Sequence, residues 1–163
     1  MKVLLGTYKL KSGLDSDTIP LDKLLESICE YLNLPDGDIE ITLTTDKEIK
    51  RLNNQYRQKD VPTNVLSFPQ FSWKAPLDIQ DQIRSSFEED NRPLWGEIIL
   101  SIETIEREAN EQQVNFTDEL IRICIHGMLH LFGFSHETEK DYEVMAVIEE
   151  SAINFSKKWI QHQ

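Results

Sequence analysis

The sequence predicts an α+β fold in which one small, mixed, four-stranded sheet packs with about five helices. Segments that alternate with period two are interspersed with segments whose apolar residues recur at helical spacing. Their order is strand, helix, strand, helix, two strands and then helices, which fits one sheet backed by helices. The chain has 163 residues, 39% of them hydrophobic, and is predicted to form a single domain over 1–163.

Strands and helices alternate in the first half of the chain. A β-prone stretch at 1–10 is followed by a helix that begins at Pro20 and ends at the breakers Pro35 and Gly37. The later elements are a strand at 38–44, a helix from Thr45 or Asp46 to about Tyr56, and strands at 63–68 and 95–102. Residues 71–93 are polar and acidic, which predicts an excursion over the surface.

Helices make up the remainder of the chain. Thr117 is predicted to cap the most apolar helix, and Gly133 to end it. Thr138, with Asp141 three residues later, predicts the cap of a last helix. The predicted helices are 103–113, Asp118 to about Phe132, and a last helix that buries Met145, Ile148, Ala152, Phe155 and Trp159.

Charge and composition argue against several classes of protein. The net charge of -12 disfavours a protein that coats nucleic acid by bulk charge. We expect no signal peptide, and no stretch approaches the roughly 20 apolar residues of a membrane span, so the chain is expected to be cytoplasmic, without a membrane partner. Cys29 and Cys124 make no disulfide framework and are predicted to be buried free thiols.

Three of the four histidines lie between residues 126 and 136. His126 and His130 are four residues apart on a predicted helix, so their rings share one face. Gly133 allows a sharp turn that returns His136 as a third ligand. Three imidazoles leave the fourth corner of a tetrahedral zinc site open, which is typical of catalytic sites. The pattern predicts one Zn²⁺ per chain, with nickel or another divalent transition metal as the alternative.

The histidine spacing equals that of the metzincin peptidases, His-Glu-x-x-His-x-x-Gly-x-x-His, so the predicted metal helix is zincin-like. In those enzymes the glutamate directly after the first histidine is the general base. That position is Gly127 here, which cannot take a proton from water, so peptide hydrolysis by that mechanism is disfavoured. Met145 suits the core face of the last helix better than a Met-turn.

Residues 126–136, His-Gly-Met-Leu-His-Leu-Phe-Gly-Phe-Ser-His, resemble the signature of the YbeY family of bacterial endoribonucleases, His-Gly-x-Leu-His-Leu-x-Gly-Tyr-Asp-His. A second motif agrees at 52–69, Leu-Asn-Asn-Gln-Tyr-Arg-Gln-Lys-Asp-Val-Pro-Thr-Asn-Val-Leu-Ser-Phe-Pro. The stretch 95–101 looks like the family's Leu-Gly-Asp-Ile strand. The resemblance runs from about residue 38 to 150.

Four positions depart from the family pattern, and none is a metal ligand. Phe134 replaces a tyrosine, and Asn64, Glu97 and Ser135 replace aspartates. Loss of the acid at 135 is expected to weaken the orientation of a neighbouring histidine.

The resemblance implies a metal-dependent, single-strand-specific endoribonuclease that acts in 16S rRNA maturation (3′ end processing) and in ribosome quality control. Its implied partners are single-stranded rRNA, the small ribosomal subunit and the assembly proteins of that subunit. Arg57 matches the family's key arginine, and its expected catalytic role is to clamp a phosphate and stabilise transition-state charge. Because the stretch 46–60 is locally basic, Arg51 and Lys59 are candidate RNA contacts.

Two other functions stay open: a zinc-dependent, peptidase-like hydrolase, and a non-catalytic ribosome assembly factor whose metal orders a binding surface. The sequence offers no obvious general base. Glu137 is close enough to His136 to be proposed, but an acid in the first turn of the last helix is the simpler interpretation. The nucleophile is open between an RNA 2′-hydroxyl and a water activated by the metal.

Overall fold

The structure, a computed structural model, describes residues 1–7, 19–73 and 92–163. Within these ranges it has five helices and one four-stranded mixed sheet, which confirms the predicted α+β fold. The strands are β1 (Lys2–Thr7), β2 (Asp38–Thr44), β3 (Val65–Pro69) and β4 (Leu94–Ser101). The helices are α1 (Leu21–Tyr31), α2 (Asp46–Arg57), α3 (Ile102–Gln112), α4 (Phe116–Leu131) and α5 (Glu139–Gln161).

The strand order in the sheet is β1-β2-β4-β3. β2 pairs in parallel with β1 and β4, whereas β3 runs antiparallel to β4 and forms one edge. Because side chains alternate along a strand, Ile41 and Leu43 of β2 enter the main core while Thr42 and Thr44 lie on the opposite face. The sheet therefore separates two differently packed sides of the molecule.

Helices α2 and α4 lie on these opposite sides. The main core, on the first face, includes most of the buried side of α4 together with residues of α1 and α5. On the second face, Ile49 of α2 packs with Leu66 and Ile99 in a smaller apolar cluster. Edge strand β3 contacts both sides, because α4 packs against one of its faces and Leu66 joins the α2 cluster on the other.

Gly127 brings α4 close to the sheet. A Cβ atom at this position would lie 3.0 Å from Ile98 Cγ2 and 3.3 Å from both Ser67 Oγ and Val65 Cγ2. The Ser67 hydroxyl donates a hydrogen bond of 3.1 Å to the Gly127 carbonyl. A side chain at position 127 would therefore point into the sheet.

The predicted cap of α4 is wrong by two residues. The N-cap is Asn115, whose side-chain oxygen accepts hydrogen bonds from the backbone N–H groups of Thr117 at 2.7 Å and Asp118 at 3.4 Å. Asn and Asp side chains reach such amides at least as well as Thr does. The helix consequently begins at Phe116, two residues before the predicted start at Asp118.

Helix α5 is capped as predicted by Thr138, whose hydroxyl accepts from the Asp141 backbone N–H at 3.1 Å. Glu137 precedes this cap and so is not a first-turn residue, which corrects the interpretation made from the sequence. Met145 is buried in the main core, as packing predicts. Of the other residues predicted to lie in the core, Ala152 is buried, whereas three are half-buried: Ile148, Phe155 and Trp159.

Most of the predicted excursion at 71–93 lies outside the described residues. Its described beginning packs inward, because Phe71 and Trp73 lie against the main core and the Trp73 indole N–H donates to the Leu131 carbonyl at 2.8 Å. At its other end, the Arg92 guanidinium pairs with Asp36 at 2.7 Å. The described ends are thus anchored to the domain.

Cys29 and Cys124 are buried free thiols, as predicted. Burial raises the pKa of both thiols to about 12. None of the helices in the described ranges is both long and apolar enough to cross a membrane.

Candidate metal centre

The structure gathers the three predicted histidines into one cluster. His126 and His130 lie one turn apart on α4, with their Nε2 atoms 3.0 Å apart. The ring centroid of His136 lies 4.9 Å from that of His130 and 5.3 Å from that of His126. One ligand atom from each residue lies within 4.8 Å of the others. Tetrahedral zinc places its nitrogen ligands roughly 3.3 Å apart, so small side-chain rotations would suffice to bind an ion.

Gly133 makes the return of His136 possible. Its φ of +84° lies in the left-handed region, where a side chain is disfavoured. A Cβ atom here would also lie 2.8 Å from Trp73 Cβ. Both the backbone conformation and the tryptophan that covers the turn therefore require glycine.

The Nδ1 atoms of the two helical histidines are held by separate acceptors. His126 Nδ1 lies 2.5 Å from Glu149 Oε1, and His130 Nδ1 lies 2.9 Å from the Phe134 carbonyl oxygen. A carbonyl oxygen can only accept, so Nδ1 of His130 carries the proton in this hydrogen bond. Both rings therefore direct Nε2 at the centre, the arrangement that fixes histidine ligands around a metal.

Sequence reasoning missed Glu149. This carboxylate lies on α5, 23 residues after His126, and its side chain is only 19% exposed. One signal was available: Met145, Glu149 and Ala152 recur at helical spacing on the side of α5 that faces the core. An acid within such a stripe is unusual and calls for a partner.

Burial, with the adjacent His126, lowers the pKa of His130. The ring is therefore kept neutral and able to bind a metal at neutral pH. Ser135 makes no hydrogen bond to any of the three histidines in the described part of the chain. The orientation that the replaced acid was expected to supply comes instead from Glu149 and the Phe134 carbonyl.

No hydrogen bond or ion pair among the described residues joins the predicted basic residues to the three histidines. Arg57 is the exposed last residue of α2, a helix that packs on the face of the sheet opposite α4. Lys59 is exposed in the loop that follows. Arg51 already pairs with Glu48, with Nη2 2.5 Å from Oε1. The structure thus gathers the three histidines, while the predicted basic residues lie in and just after α2.

Comparisons with known proteins identify relatives of this chain. The family described as Endoribonuclease YbeY matches residues 14–157. An Endoribonuclease YbeY of Francisella philomiragia is 32% identical, over 83% of this chain and 82% of its own. One of Persephonella marina is 38% identical, over 74% of this chain and 71% of its own. The solution structure of TM1509 from Thermotoga maritima is 28% identical, with a TM-score of 0.63 over 98% of this chain and 93% of that one.

Proposed function

The chain belongs to the YbeY family of endoribonucleases, and we propose that it cuts single-stranded rRNA with a metal ion held by His126, His130 and His136. We propose zinc as the ion, and maturation of the 3′ end of 16S rRNA together with ribosome quality control as the cellular role. The proposed partners are the small ribosomal subunit and its assembly proteins, in the cytoplasm.

The convergence of the three histidines is the observation that carries the metal-dependent part of the proposal. Three nitrogen ligands suit zinc and leave a coordination position for substrate. The donor set contains no thiol, since Cys29 and Cys124 are buried elsewhere in the core, so the site does not resemble a closed structural zinc site.

The chain's own residues prepare this site in two ways. Glu149 and the Phe134 carbonyl hold the His126 and His130 rings so that Nε2 of each faces the centre. Position 127, which holds the catalytic glutamate in metzincin peptidases, is a glycine here and therefore supplies no carboxylate. It also faces the sheet. A divalent ion bound here would polarise a phosphoryl oxygen or activate a water for attack on phosphorus.

We propose that Arg57 binds a phosphate of the same RNA strand. Its guanidinium is exposed, and no hydrogen bond or ion pair engages it among the described residues. A guanidinium can hold a phosphate through two parallel hydrogen bonds and stabilise the charge that develops during cleavage. Because α2 and α4 lie on opposite faces of the sheet, the RNA strand would have to pass around edge strand β3.

The test uses full-length protein purified without a nickel column. Metal content is measured first, and then the cutting of a precursor 16S rRNA fragment, with and without a chelator. We expect cutting to stop when the metal is removed and to return when zinc is added. Cutting that persists in fully metal-free protein would contradict the mechanism.

Variants separate the proposed roles. His130→Ala should lose metal and cutting together, whereas Arg57→Glu should keep the metal and lose most cutting, by about 100-fold or more if its charge contacts the transition state. Arg51→Glu on the same helix is the matched control and should retain more activity, because Arg51 is already paired. Cutting that is unaffected by Arg57→Glu would refute the phosphate clamp. A His126→Ala variant that still supports ribosome maturation would favour the assembly-factor alternative.

A further inference from the structure

A cleft of about 510 Å³ opens between α2 and the face of the sheet that α4 does not cover. The metal centre does not account for it, because the two lie on opposite sides of the sheet. Its walls include the following residues of α2 and three strands: Thr44, Glu48, Tyr56, Phe68, Glu97 and Ile99. The lining combines aromatic surface with carboxylates, which suits a flat ligand that carries hydrogen-bond donors.

The aromatic part of the lining comes from Tyr56 and Phe68. Their ring centroids are 5.1 Å apart in an edge-on contact, so the two rings do not stack on one another. Tyr56 is 56% exposed, which leaves aromatic surface available to a ligand. Stacking on exposed aromatic side chains is the usual way in which proteins hold the bases of single-stranded RNA.

The polar part of the lining includes acceptors that have no donor. Glu97 makes no hydrogen bond or ion pair within the described ranges, and its nearest charged neighbour across the strands is another acid, Glu40, in register with it. Burial, and secondly Glu40, raise the pKa of the Glu97 carboxyl. Thr44 is 1% exposed, and its hydroxyl has no hydrogen-bond partner in the part of the chain that the structure describes. A ligand that donates a hydrogen bond to the Glu97 carboxylate would supply the partner that this side chain lacks.

Edge strand β3 places the cleft close to the metal helix. Ser67 faces α4 and bonds to Gly127, while the adjacent residue, Phe68, lines the cleft on the other face. The cleft and α4 are therefore separated by one strand at an edge of the sheet. Arg57, which follows Tyr56 in the chain, is a candidate phosphate contact beside the cleft.

We propose that this cleft is a nucleobase subsite, in which Glu97 accepts a hydrogen bond from the exocyclic amino group of a base that stacks on Tyr56. The proposal deepens the proposed function and rests on it, because the base belongs to the strand whose phosphates pass Arg57. A carboxylate accepts from the amino group of cytosine but repels the carbonyl oxygen at the same position of uracil. The cleft should therefore favour cytosine over uracil, although the two bases have nearly the same shape.

The experiment measures binding separately from cutting. Fluorescein-labelled 2′-O-methyl oligonucleotides of about six cytidines or six uridines are titrated with the metal-loaded, full-length protein, and anisotropy is recorded. A gel confirms that each oligonucleotide stays intact. We expect the cytidine oligonucleotide to bind about tenfold more tightly than the uridine one, the scale of one specific base contact.

Glu97→Gln is the decisive variant, because an amide can pair with either base. It should reduce the cytidine preference to about twofold or less. Glu40→Gln is the matched control: it removes the same charge from the same face, so it should raise binding of both oligonucleotides similarly and keep the preference. Tyr56→Ala should weaken both oligonucleotides by a similar factor.

Three results would overturn the proposal: equal binding of the two oligonucleotides by the wild-type protein, an unchanged preference in Glu97→Gln, or loss of preference in Glu40→Gln as well. Cutting of the rRNA fragment is measured on the same preparations. Normal cutting without any base preference would reject the nucleobase subsite alone, whereas absence of cutting by the metal-loaded wild-type protein would reject the proposed function.

Discussion

Glu149 offers the sharpest test of how the metal centre is built. Its carboxylate holds Nδ1 of His126 at 2.5 Å, and the two side chains are 19% and 26% exposed. Partners of this kind fix the ring and increase the basicity of the ligand, and their removal typically costs 10–100-fold in metal affinity. Both side chains are largely shielded from water, so water cannot fully replace the lost carboxylate. We therefore expect Glu149→Ala to weaken zinc binding by about 30-fold, or about 2 kcal/mol.

Glu149→Gln should have a smaller effect. Its amide oxygen can still accept from Nδ1, but the hydrogen bond loses its charge, which costs roughly 1 kcal/mol. Zinc affinity is measured by competition with a chromophoric chelator, and circular dichroism confirms that each variant is folded. Glu150→Ala removes an exposed acid from the next position of the same helix and is the matched control. If Glu149→Ala bound zinc as tightly as Glu150→Ala, the anchoring role would be refuted.

Three further outcomes follow from the packing. Gly127→Glu should lower stability in thermal unfolding by about 2 kcal/mol or more, because the side chain is forced against the sheet, and should create no peptidase activity; an unchanged melting temperature would contradict this. Cys29 and Cys124 should react with a thiol reagent only after unfolding, since burial raises the pKa of both to about 12; rapid labelling of the folded protein would show otherwise. The pKa of His130 is lowered from 6.5, so the unfolded chain takes up this proton at a higher pH than the folded one. Stability of the metal-free protein should therefore fall as the pH drops below 6.5, as urea titrations would show, and His130→Gln should reduce that dependence.

The sequence was sufficient for the features that depend on local spacing. His126 and His130 share a face because four residues make about one helical turn, and Gly133 permits the turn that returns His136. The period-two pattern at 38–44 gave a strand with the predicted bounds, Asp38–Thr44. The prediction that Thr117 caps α4 was wrong, because Asn115 is a capping residue as well and only the path of the chain selects it.

The tertiary structure decided what surrounds these local features. Glu149 meets His126 only because α5 packs against α4, and no periodicity within one element encodes that contact. In the same way, the packing of helices on the sheet determines that position 127 faces strands and that α2 and α4 lie on opposite faces. Spacing along the chain specifies which side chains share a face of one helix or strand, whereas contacts between elements depend on how those faces pack together. The clustering of the three histidines could therefore be predicted from the sequence, while the pairing of Glu149 with His126 and the cleft behind the sheet could not.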